Sequence, residues 1–346
     1  MAETLGMYDA GKSIKNSPYV KWGRETLEAE RWWYDCQKVK PEDRERCIQA
    51  RQKRVIELYH SLKKYGHLSY TKVRKKVRHP SGRSKYHSPI TVYFNRDGEI
   101  QTYDGFHRLC IMKYLKIKTK VEVVISKHDP NPKRKGDFPL VRTLMKLNSG
   151  KYLYQPCNDP RLKDFKVWRK DSPQRANYVL RRLKGKTALD IGCCEGYFCR
   201  KLAANGYKVT ALDNNRKRLA VTRYLSTIKN WKMKYYLGSW SKYLKGDVYF
   251  DNILFLSTFH HNILSVGVEE AFKLLRRFRG KAGRVFFEMP LSAKHVKWLK
   301  KEKQRKSFHF TEAQFKARIE KEMNMKVKHI WRRPSVHRTL FLLVKK

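Results

Sequence analysis

The sequence predicts an α/β fold, and three observations in its second half support that class. Short apolar runs recur between residues 184 and 346, helical segments separate them, and a loop with two glycines follows the first run. Near-continuous apolar runs joined by helices are typical of parallel strands that are covered on both faces. The last two runs, at 326–331 and 339–344, are typical of an antiparallel pair. We therefore predict a mostly parallel, seven-stranded sheet in residues 184–346.

The first apolar run and its loop carry the strongest functional signal. Residues 188–198 read Ala-Leu-Asp-Ile-Gly-Cys-Cys-Glu-Gly-Tyr-Phe, so a strand that contains Asp190 leads to a loop with Gly192 and Gly196. Glycine leaves no Cβ in the way of a ligand, and the N–H groups of a helix start attract anions. The next strand ends in Asp213, where a carboxylate can accept hydrogen bonds from the two hydroxyls of a ribose.

The same run resembles motif I of the class I S-adenosylmethionine (SAM)-dependent methyltransferases, in which an acid precedes a Gly-x-Gly-x-Gly loop. Cys194 stands where that motif has its middle glycine. A dinucleotide site is the competing interpretation, but its loop has Gly-x-Gly-x-x-Gly spacing. The resemblance implies a Rossmann-like domain over residues 184–346, with SAM as cofactor. It assigns Asp190, Gly192, Cys194 and Gly196 to the methionine end, Asp213 to the ribose, Ser239 and Trp240 to the adenine, and Leu256 to the neighbourhood of the sulfonium.

The segment after the fourth strand indicates what is methylated. Residues 256–262 read Leu-Ser-Thr-Phe-His-His-Asn, without the Asp/Asn-Pro-Pro-aromatic motif of base-amine methylation or the Pro-Cys of cytosine carbon-5 methylation. The adjacent His260 and His261 offer a general base for a hydroxyl, or ligands for a metal that holds a diol. Glu288, at the end of the fifth strand, is placed to orient or complete such a site. We predict O-methylation with these three as catalytic residues and assign no metal; a buried structural pair of histidines is the alternative.

Composition indicates a polyanionic partner. The 346 residues include 79 Lys and Arg against 31 Asp and Glu, a net charge of +48. Residues 1–150 carry 33 basic and 16 acidic side chains, and residues 151–346 carry 46 and 15, so the excess is not confined to a tail. Such a charge repels itself unless a polyanion matches it. RNA is the partner we predict, while DNA and anionic membrane or glycan surfaces stay open.

The N-terminal part is predicted to be a helical arm over residues 1–77. Residues 1–23 show little periodicity, a helix is expected over 24–38, and Pro41 suits the start of a second helix that stops at Gly66. Ile48, Val55, Tyr59 and Leu62 form the apolar stripe of that helix. The basic run at 72–78 is a candidate phosphate contact.

Residues 78–128 combine three predicted strands, at 90–94, 99–103 and 121–125, with an Asp-Gly-Phe-His-Arg turn that opens a helix at 104–108. This segment resembles the ParB/sulfiredoxin-like fold, which implies a small α+β domain. The resemblance assigns Asp104, His107 and Arg108 to a nucleotide or phosphate, and a plain ion pair between Arg108 and Asp104 is the alternative. Residues 129–183 are predicted to be a linker with bridging helices.

Three further expectations concern the cell and the membrane. Seven cysteines, an odd number, do not indicate a disulfide framework in a chain of this size. The N-terminus lacks the pattern of a signal peptide, and no apolar window is long enough for a membrane span. We therefore expect a soluble protein in a reducing, cytoplasmic compartment.

Two alternatives to RNA O-methylation remain at this point. One is a methyltransferase for a small molecule, a lipid or a glycan. The other is a non-catalytic nucleic-acid-binding or particle-associated protein with a degenerate methyltransferase fold, which Cys194 in the glycine loop favours.

Overall fold

A computed structural model describes residues 1–28, 40–67, 90–95, 97–119, 121, 123–125, 138–296, 299, 307–333 and 337–346. The chain divides into two compact units. The first unit comprises Met1–Tyr93 and Ile100–Asp137, and the second comprises Phe94–Glu99 and Phe138–Lys346. The observed division is therefore into two units, whereas the sequence suggested four segments. The predicted arm shares a unit with the segment that resembles ParB, and residues 138–183 belong with the large sheet.

The first unit contains four helices among its described residues and a small sheet. The helices are α1 (Ala2–Asp9), α2 (Pro18–Glu28), α3 (Arg44–Tyr65) and α4 (Phe106–Tyr114), and the strands are β1 (Ile90–Phe94), β2 (Ile100–Asp104) and β3 (Val123–Ile125). The strand order is β2-β1-β3, with β1 and β3 parallel. A shared core joins apolar side chains of α1, α2, α3 and α4. The ParB-like interpretation of this unit stays a prediction.

Helix α3 has the start, stop and buried stripe that the sequence predicts. A 3-10 turn at Pro41–Asp43 precedes it, and Gly66 ends it with φ of 65° and an N–H that donates to the carbonyl of Leu62. Ile48, Val55, Tyr59 and Leu62 are all buried, which confirms the predicted stripe.

Residues 1–23 show little periodicity, yet α1 and the first turns of α2 lie there. Leu5, Tyr19 and Val20 are buried in the core of the first unit. Three anchors spread over two short helices leave no periodic pattern that a sequence window would detect. Of the helix expected over 24–38, the structure describes residues up to Glu28, and the basic run at 72–78 lies outside the described residues.

The second unit is built around a seven-stranded sheet with the order β11-β12-β10-β9-β6-β7-β8. Its strands are β6 (Thr187–Ile191), β7 (Lys208–Asp213), β8 (Met233–Leu237), β9 (Phe250–Leu256), β10 (Ala282–Met289), β11 (Met325–Arg333) and β12 (Arg338–Lys345). Strands β6 to β10 run parallel, and β12 runs antiparallel to both of its neighbours. The α/β class is confirmed, with a mixed sheet.

Helices cover both faces of this sheet. They are α5 (Leu140–Leu147), α6 (Ser172–Leu180), α7 (Tyr197–Ala204), α8 (Arg216–Thr227), α9 (Trp240–Tyr243), α10 (Phe259–Val266), α11 (Val268–Leu274) and α12 (Glu312–Met323). A two-stranded parallel pair, β4 (Tyr152–Leu153) and β5 (Lys166–Val167), precedes the sheet. Thr311 and Gln314 form a capping box at the start of α12.

The order of the strands places a ligand site. The chain runs from β6 outward to β7 and β8, and then returns to build β9 and β10 on the other side of β6. Ligands of open α/β sheets bind at such a switch point, beyond the carboxyl ends of the strands. The loops that follow β6, β7, β9 and β10 therefore meet at one edge of the sheet.

The cysteines depart from the expectation at one position. Cys47 is disulfide-bonded, although the cysteine pattern does not indicate a disulfide framework. Five other described cysteines, at 110, 157, 193, 194 and 199, are free. A loose pattern of seven thiols does not reveal which two lie close enough in space to pair. In the described part of the chain, no helix has the length and hydropathy required to span a membrane.

Candidate cofactor and acceptor sites

The loop between β6 and α7 has an unusual backbone. Gly192, Cys194 and Gly196 have φ of 71°, 55° and 73°, all in the left-handed region. That region costs a residue with a Cβ about 1–2 kcal/mol, whereas glycine adopts it freely. Cys194 therefore carries backbone strain at the position where the related motif has glycine. Strain of this kind is common at ligand-binding loops.

Both glycines are also needed for packing within the protein. A Cβ on Gly192 would lie 2.5 Å from Oγ1 of Thr258, and a Cβ on Gly196 would lie 2.4 Å from Cγ2 of Thr222. Thr258 follows β9, so the loop rests directly against the neighbouring strand end. Ligand approach is one reason for glycine at these two positions. The close packing of Thr258 and Thr222 is a second.

Asp213 lies at the end of β7 and faces the loop. Its Oδ2 accepts a hydrogen bond from the Cys194 N–H at 2.9 Å, and its Oδ1 accepts one from the Asn215 N–H at 2.8 Å. Burial raises the pKa of this carboxyl, and the two backbone N–H groups act against that rise. Each carboxylate oxygen can accept a second hydrogen bond, so the carboxylate fits the hydroxyls of a ribose.

Asp190 lies inside the sheet, one residue before the end of β6. Burial raises the pKa of Asp190 to about 7, while the thiol of Cys199, which donates to Oδ2 at 3.1 Å, acts in the opposite direction. A cationic ligand nearby favours the ionised form of a buried carboxyl. The position therefore suits the positively charged methionine end of SAM.

Glu195 is a residue of the loop that sequence reasoning did not single out. It is buried and accepts hydrogen bonds from the Asn148 side chain at 2.7 Å and from the backbone N–H groups of Tyr154 and Gln155. Arg218 adds an ion pair at 3.3 Å. Through these contacts Glu195 attaches residues 148–155 to the predicted cofactor loop.

The attached segment contributes a buried acceptor. Oε1 of Gln155 is buried and has no hydrogen-bond partner among the described residues. A buried polar atom without a partner costs about 1–3 kcal/mol and therefore calls for a ligand or water. An ammonium donor such as the amino group of SAM would satisfy this oxygen. The hydrogen-bond acceptors around the loop therefore fit that cofactor.

The three residues assigned to the adenine and the sulfonium lie in different environments. Ser239 is exposed, and its hydroxyl lies 2.8 Å from that of Ser241. Trp240 is buried against Phe255 and donates from Nε1 to Asn262, which makes it a core side chain. Leu256 is buried at the end of β9. Their contacts with a cofactor stay predictions, and the geometry gives Trp240 a structural role in addition.

Ser257 occupies the strand end next to the loop. It has φ of 55°, a strained value for serine, and it is buried. Its hydroxyl donates to Oε1 of Glu288 at 2.6 Å and accepts from Nη1 of Arg169 at 3.1 Å. The ends of β9 and β10 are thereby joined by a buried polar contact.

Glu288 is the centre of an arginine-rich cluster. Its carboxylate contacts Arg175 at 2.9 Å, Arg169 at 3.3 Å and Arg333 at 3.6 Å. The same three guanidiniums also contact Asp171. Although burial alone acts to raise it, the pKa of Glu288 is lowered to about 2 by these arginines and by Ser257. At neutral pH Glu288 is therefore an anion that orients Arg169 and Ser257.

His260 and His261 begin α10, with ring centroids 4.3 Å apart. His260 is almost fully buried, and its Nδ1 has no hydrogen-bond partner in the described part of the chain. Burial lowers the pKa of His260 well below its ordinary value, and it also lowers that of His261; the charge of Arg338 acts in the same direction on both. Both imidazoles are therefore neutral at physiological pH. A neutral imidazole with an unoccupied nitrogen can accept a proton.

The residues assigned to a nucleotide in the first unit have partners within that unit. Nε2 of His107 lies 2.9 Å from the hydroxyl of Tyr19, and burial lowers the pKa of His107 to about 4. Arg108 forms an ion pair with Asp104 at 3.8 Å, which is the arrangement that the alternative reading expects. The phosphate-binding role of the three residues stays a prediction.

Several site residues were outside the reach of sequence reasoning. Arg169 was seen only as part of a mixed basic and aromatic stretch. Six other residues were not identified: Asn148, Arg218, Asp171, Arg175, Arg333 and Arg338. Nothing in a chain so rich in lysine and arginine separates these arginines from the solvent-exposed ones. Among the residues that the structure describes, no three His, Cys, Asp or Glu side chains converge to hold a metal ion.

Comparison with protein families gives a match over part of the second unit. A family model described as a methyltransferase domain matches residues 188–283. The matched range begins in β6 and includes the glycine loop, Asp213 and both histidines of α10.

Two kinds of curated relatives match part of this chain. The ubiquinone biosynthesis O-methyltransferase of Vibrio cholerae is 36% identical over 75 residues, which are 21% of this chain and 31% of that enzyme. The O-antigen chain terminator bifunctional methyltransferase/kinase WbdD of Escherichia coli is 26% identical over 113 residues, 32% of this chain and 16% of that protein. The matches thus span less than a third of either relative.

Solved structures show more distant likenesses. A crystal structure of WbdD has a TM-score of 0.47 and 18% identity, covering 59% of this chain and 46% of that one. The magnesium protoporphyrin IX methyltransferase of Synechocystis PCC 6803, solved with bound SAM, has a TM-score of 0.39 and 12% identity over 51% of this chain and 79% of that one. Residues 188–283 of this chain are therefore similar to a methyltransferase domain, and this similarity supports S-adenosylmethionine as the cofactor.

Proposed function

We propose that this chain transfers the methyl group of SAM to an acceptor oxygen that lies beside Ser257 and His260. The observation that carries the proposal is the buried Nδ1 of His260, a proton acceptor without a partner among the described residues. His260 lies in the first turn of α10, which follows β9, the strand that pairs with β6. The matched enzyme of Vibrio cholerae is named an O-methyltransferase, which supports oxygen as the accepting atom.

The cofactor is held, in this proposal, by the loop at 192–196 together with Asp190, Asp213 and Gln155. When bound, SAM supplies a methyl group activated by a sulfonium: the acceptor oxygen forms the new C–O bond, the C–S bond breaks, and its electron pair stays on sulfur. Since the methyl group is already activated, the protein contributes mainly by aligning the acceptor oxygen.

His260 is the base of the proposal. Its neutral imidazole takes the proton of the acceptor hydroxyl at Nδ1 as the oxygen attacks. Because burial disfavours the imidazolium, that proton passes readily on to solvent or to His261. A positioned base contributes about 10²- to 10⁴-fold to the rate.

Glu288 and Ser257 have a positioning role. A carboxylate with a pKa of about 2 that contacts three guanidiniums cannot serve as a base near neutral pH. Glu288 instead fixes the hydroxyl of Ser257 and the guanidinium of Arg169 at the strand end. Of the two roles that the sequence suggested for Glu288, the proposal keeps orientation.

The cofactor assignment is tested by Asp213→Ala. We expect at least a tenfold loss of affinity for S-adenosylhomocysteine in titration calorimetry, because the ribose hydroxyls lose a charged acceptor. Asp247→Ala is the control, since Asp247 is an exposed carboxylate of the same unit. Equal affinity in Asp213→Ala and wild type would remove Asp213 from the cofactor site.

The base is tested by His260→Ala and His261→Ala, with methyl-tritiated SAM and the acceptor that takes up label. We expect His260→Ala to lower kcat by about 10²-fold or more while the affinity for S-adenosylhomocysteine changes less than twofold. His329→Ala, which alters an exposed histidine, keeps the wild-type rate. If both His260→Ala and His261→Ala turn over normally, histidine-assisted O-methylation is refuted.

We further propose RNA as the source of the accepting oxygen. The net charge of +48, spread over both halves of the chain, supports a polyanionic acceptor. Label transfer to RNA is expected to fall steeply between 50 and 200 mM salt, as phosphate contacts require. Labelling of a small molecule, lipid or glycan fraction, with RNA unlabelled, would favour the alternative acceptors.

A further inference from the structure

Positive charge exceeds negative charge in the buried cluster behind the acceptor site. Among the described residues, three guanidiniums (Arg169, Arg175 and Arg333) contact two carboxylates (Asp171 and Glu288) there, and the charge of Glu288 also acts on a fourth guanidinium, that of Arg338. Burying an ion without a counter-ion costs several kcal/mol. An excess of two positive charges at the end of β9 and β10 therefore requires a reason.

Three of the four arginines use both carboxylates. Arg169, Arg175 and Arg333 each contact Glu288, and each contacts Asp171 as well. These contacts hold the three guanidiniums, while Oε2 of Glu288 accepts no hydrogen bond from the described residues. The fourth arginine is outside this arrangement.

Arg338, at the start of β12, lacks a carboxylate partner in the described part of the chain. Its hydrogen bond is a long one, from Nη1 to the carbonyl of its neighbour His337 at 3.4 Å. Its Nε is buried and has no acceptor among the described residues. Burial, and then the nearby Arg169, lower the pKa of Arg338, so the surroundings disfavour its charge.

Two histidines and further basic side chains lie near Arg338 among the described residues. His295 and His337 stack with ring centroids 4.1 Å apart, and the charges of Lys294, Arg338 and His309 act on His295. On the other side, the charge of Arg338 acts on both His260 and His261. Arg338 thus lies between the histidines of the acceptor site and a second group of potential cations.

We infer that Arg338 binds an oxyanion of the methyl acceptor, a phosphate or a carboxylate, beside His260. The inference rests on the proposed function, since it places the acceptor at the same strand end. A guanidinium presents two parallel N–H donors to such a group, and the pair is stronger where water is excluded. The bound oxyanion supplies the negative charge that the cluster lacks and holds the acceptor next to its base.

The test compares wild type, Arg338→Met and Arg332→Met of the full chain by thermal unfolding. Inorganic phosphate and acetate are the probes, each titrated against chloride at constant ionic strength. Arg332 is the matched control because it is an exposed arginine of the neighbouring strand, paired with Glu312 at 2.6 Å. A ligand of the folded state raises stability with its concentration, which yields an apparent Kd.

We expect phosphate or acetate to bind wild type and Arg332→Met alike, and Arg338→Met at least tenfold more weakly. In chloride alone, Arg338→Met is expected to be as stable as wild type or more stable, because it removes a half-buried charge that has no carboxylate contact among the described residues. The probe that stabilises more identifies the oxyanion. Equal stabilisation of all three proteins, or a clear loss of stability of Arg338→Met in chloride, would overturn the inference.

Two further measurements keep the outcome decisive. Arg338→Lys retains the charge but lacks the two parallel N–H donors of the guanidinium. We expect this variant to fold and to bind the probe at least threefold more weakly than wild type. S-adenosylhomocysteine titration of the same proteins distinguishes failure of the Arg338 inference from failure of the proposed function. Cofactor binding without an Arg338-dependent anion effect refutes only the inference, and the reverse result refutes the proposed function.

Discussion

Glu288→Gln is expected to lower the free energy of unfolding by about 3–5 kcal/mol. The buried carboxylate contacts three guanidiniums and the hydroxyl of Ser257, and an amide would leave those charges without their shared counter-ion. Urea denaturation of wild type and variant at pH 7 measures the difference. Losses of this size arise when one partner of a buried ionic network is removed.

Glu270→Gln is the matched control, because Glu270 is exposed and pairs with Lys273 at 2.7 Å. Exposed pairs contribute about 0–1 kcal/mol, so the control is expected to stay close to wild type. A Glu288→Gln protein within 1 kcal/mol of wild type would show that the arginine cluster does not depend on this carboxylate.

The same carboxylate predicts how stability depends on pH. The folded pKa of Glu288 is about 2, below the ordinary value of 4.5, and the pKa of Asp171 is lowered by the same arginines. The stabilisation is thus fully present above pH 4.5 and falls as the pH drops toward 2. Wild type should lose stability steeply in this window, whereas Glu288→Gln should show a shallower slope. Parallel slopes would contradict the assignment.

Gly192→Ala is expected to abolish cofactor binding within the range of titration calorimetry, a loss of at least a hundredfold. The new Cβ would lie 2.5 Å from Oγ1 of Thr258, and φ of 71° is unfavourable for alanine. The loop must then shift away from β9, which displaces the backbone of the proposed cofactor site. We also expect a loss of stability of about 1–3 kcal/mol from the overpacking.

Gly206→Ala separates backbone strain from the steric clash. Gly206 has φ of 80°, but a Cβ there meets nothing within 4 Å. This variant is expected to lose about 1 kcal/mol of stability and to bind S-adenosylhomocysteine normally. Thr258→Ala added to Gly192→Ala removes the clashing atom, so affinity should recover in part. A double variant as weak as Gly192→Ala would mean that strain, and not Thr258, decides the effect.

Local chemistry explains why much of the second unit was predictable. The strands are apolar runs, the acids and glycines follow them at short spacing, and the capping box that starts α12 lies within four residues. Each signal depends on neighbours along the chain. The stop of α3 at Gly66 is predictable for the same reason, since a left-handed residue ends a helix locally.

Long-range partners explain what was missed. Arg175 and Glu288 meet across 113 positions, and Asn148 and Glu195 across 47. No local pattern marks an arginine that will be buried, least of all among 79 basic residues. The packing of the Trp240 indole beside Phe255 is another contact between distant residues that no local pattern marks.

By itself, the sequence determined the α/β class. It also placed Asp190, Asp213, Gly192 and His260 at or shortly after the carboxyl ends of strands. These features follow from hydrophobic periodicity and from backbone rules that act over a few residues. Only the tertiary structure decided which charges meet: Glu288 as the partner of three arginines, Glu195 as the anchor of residues 148–155, and Arg338 without a counter-ion. Coulomb energy and desolvation depend on the distances between charges and on their burial. Local sequence patterns determine neither the distances nor the burial.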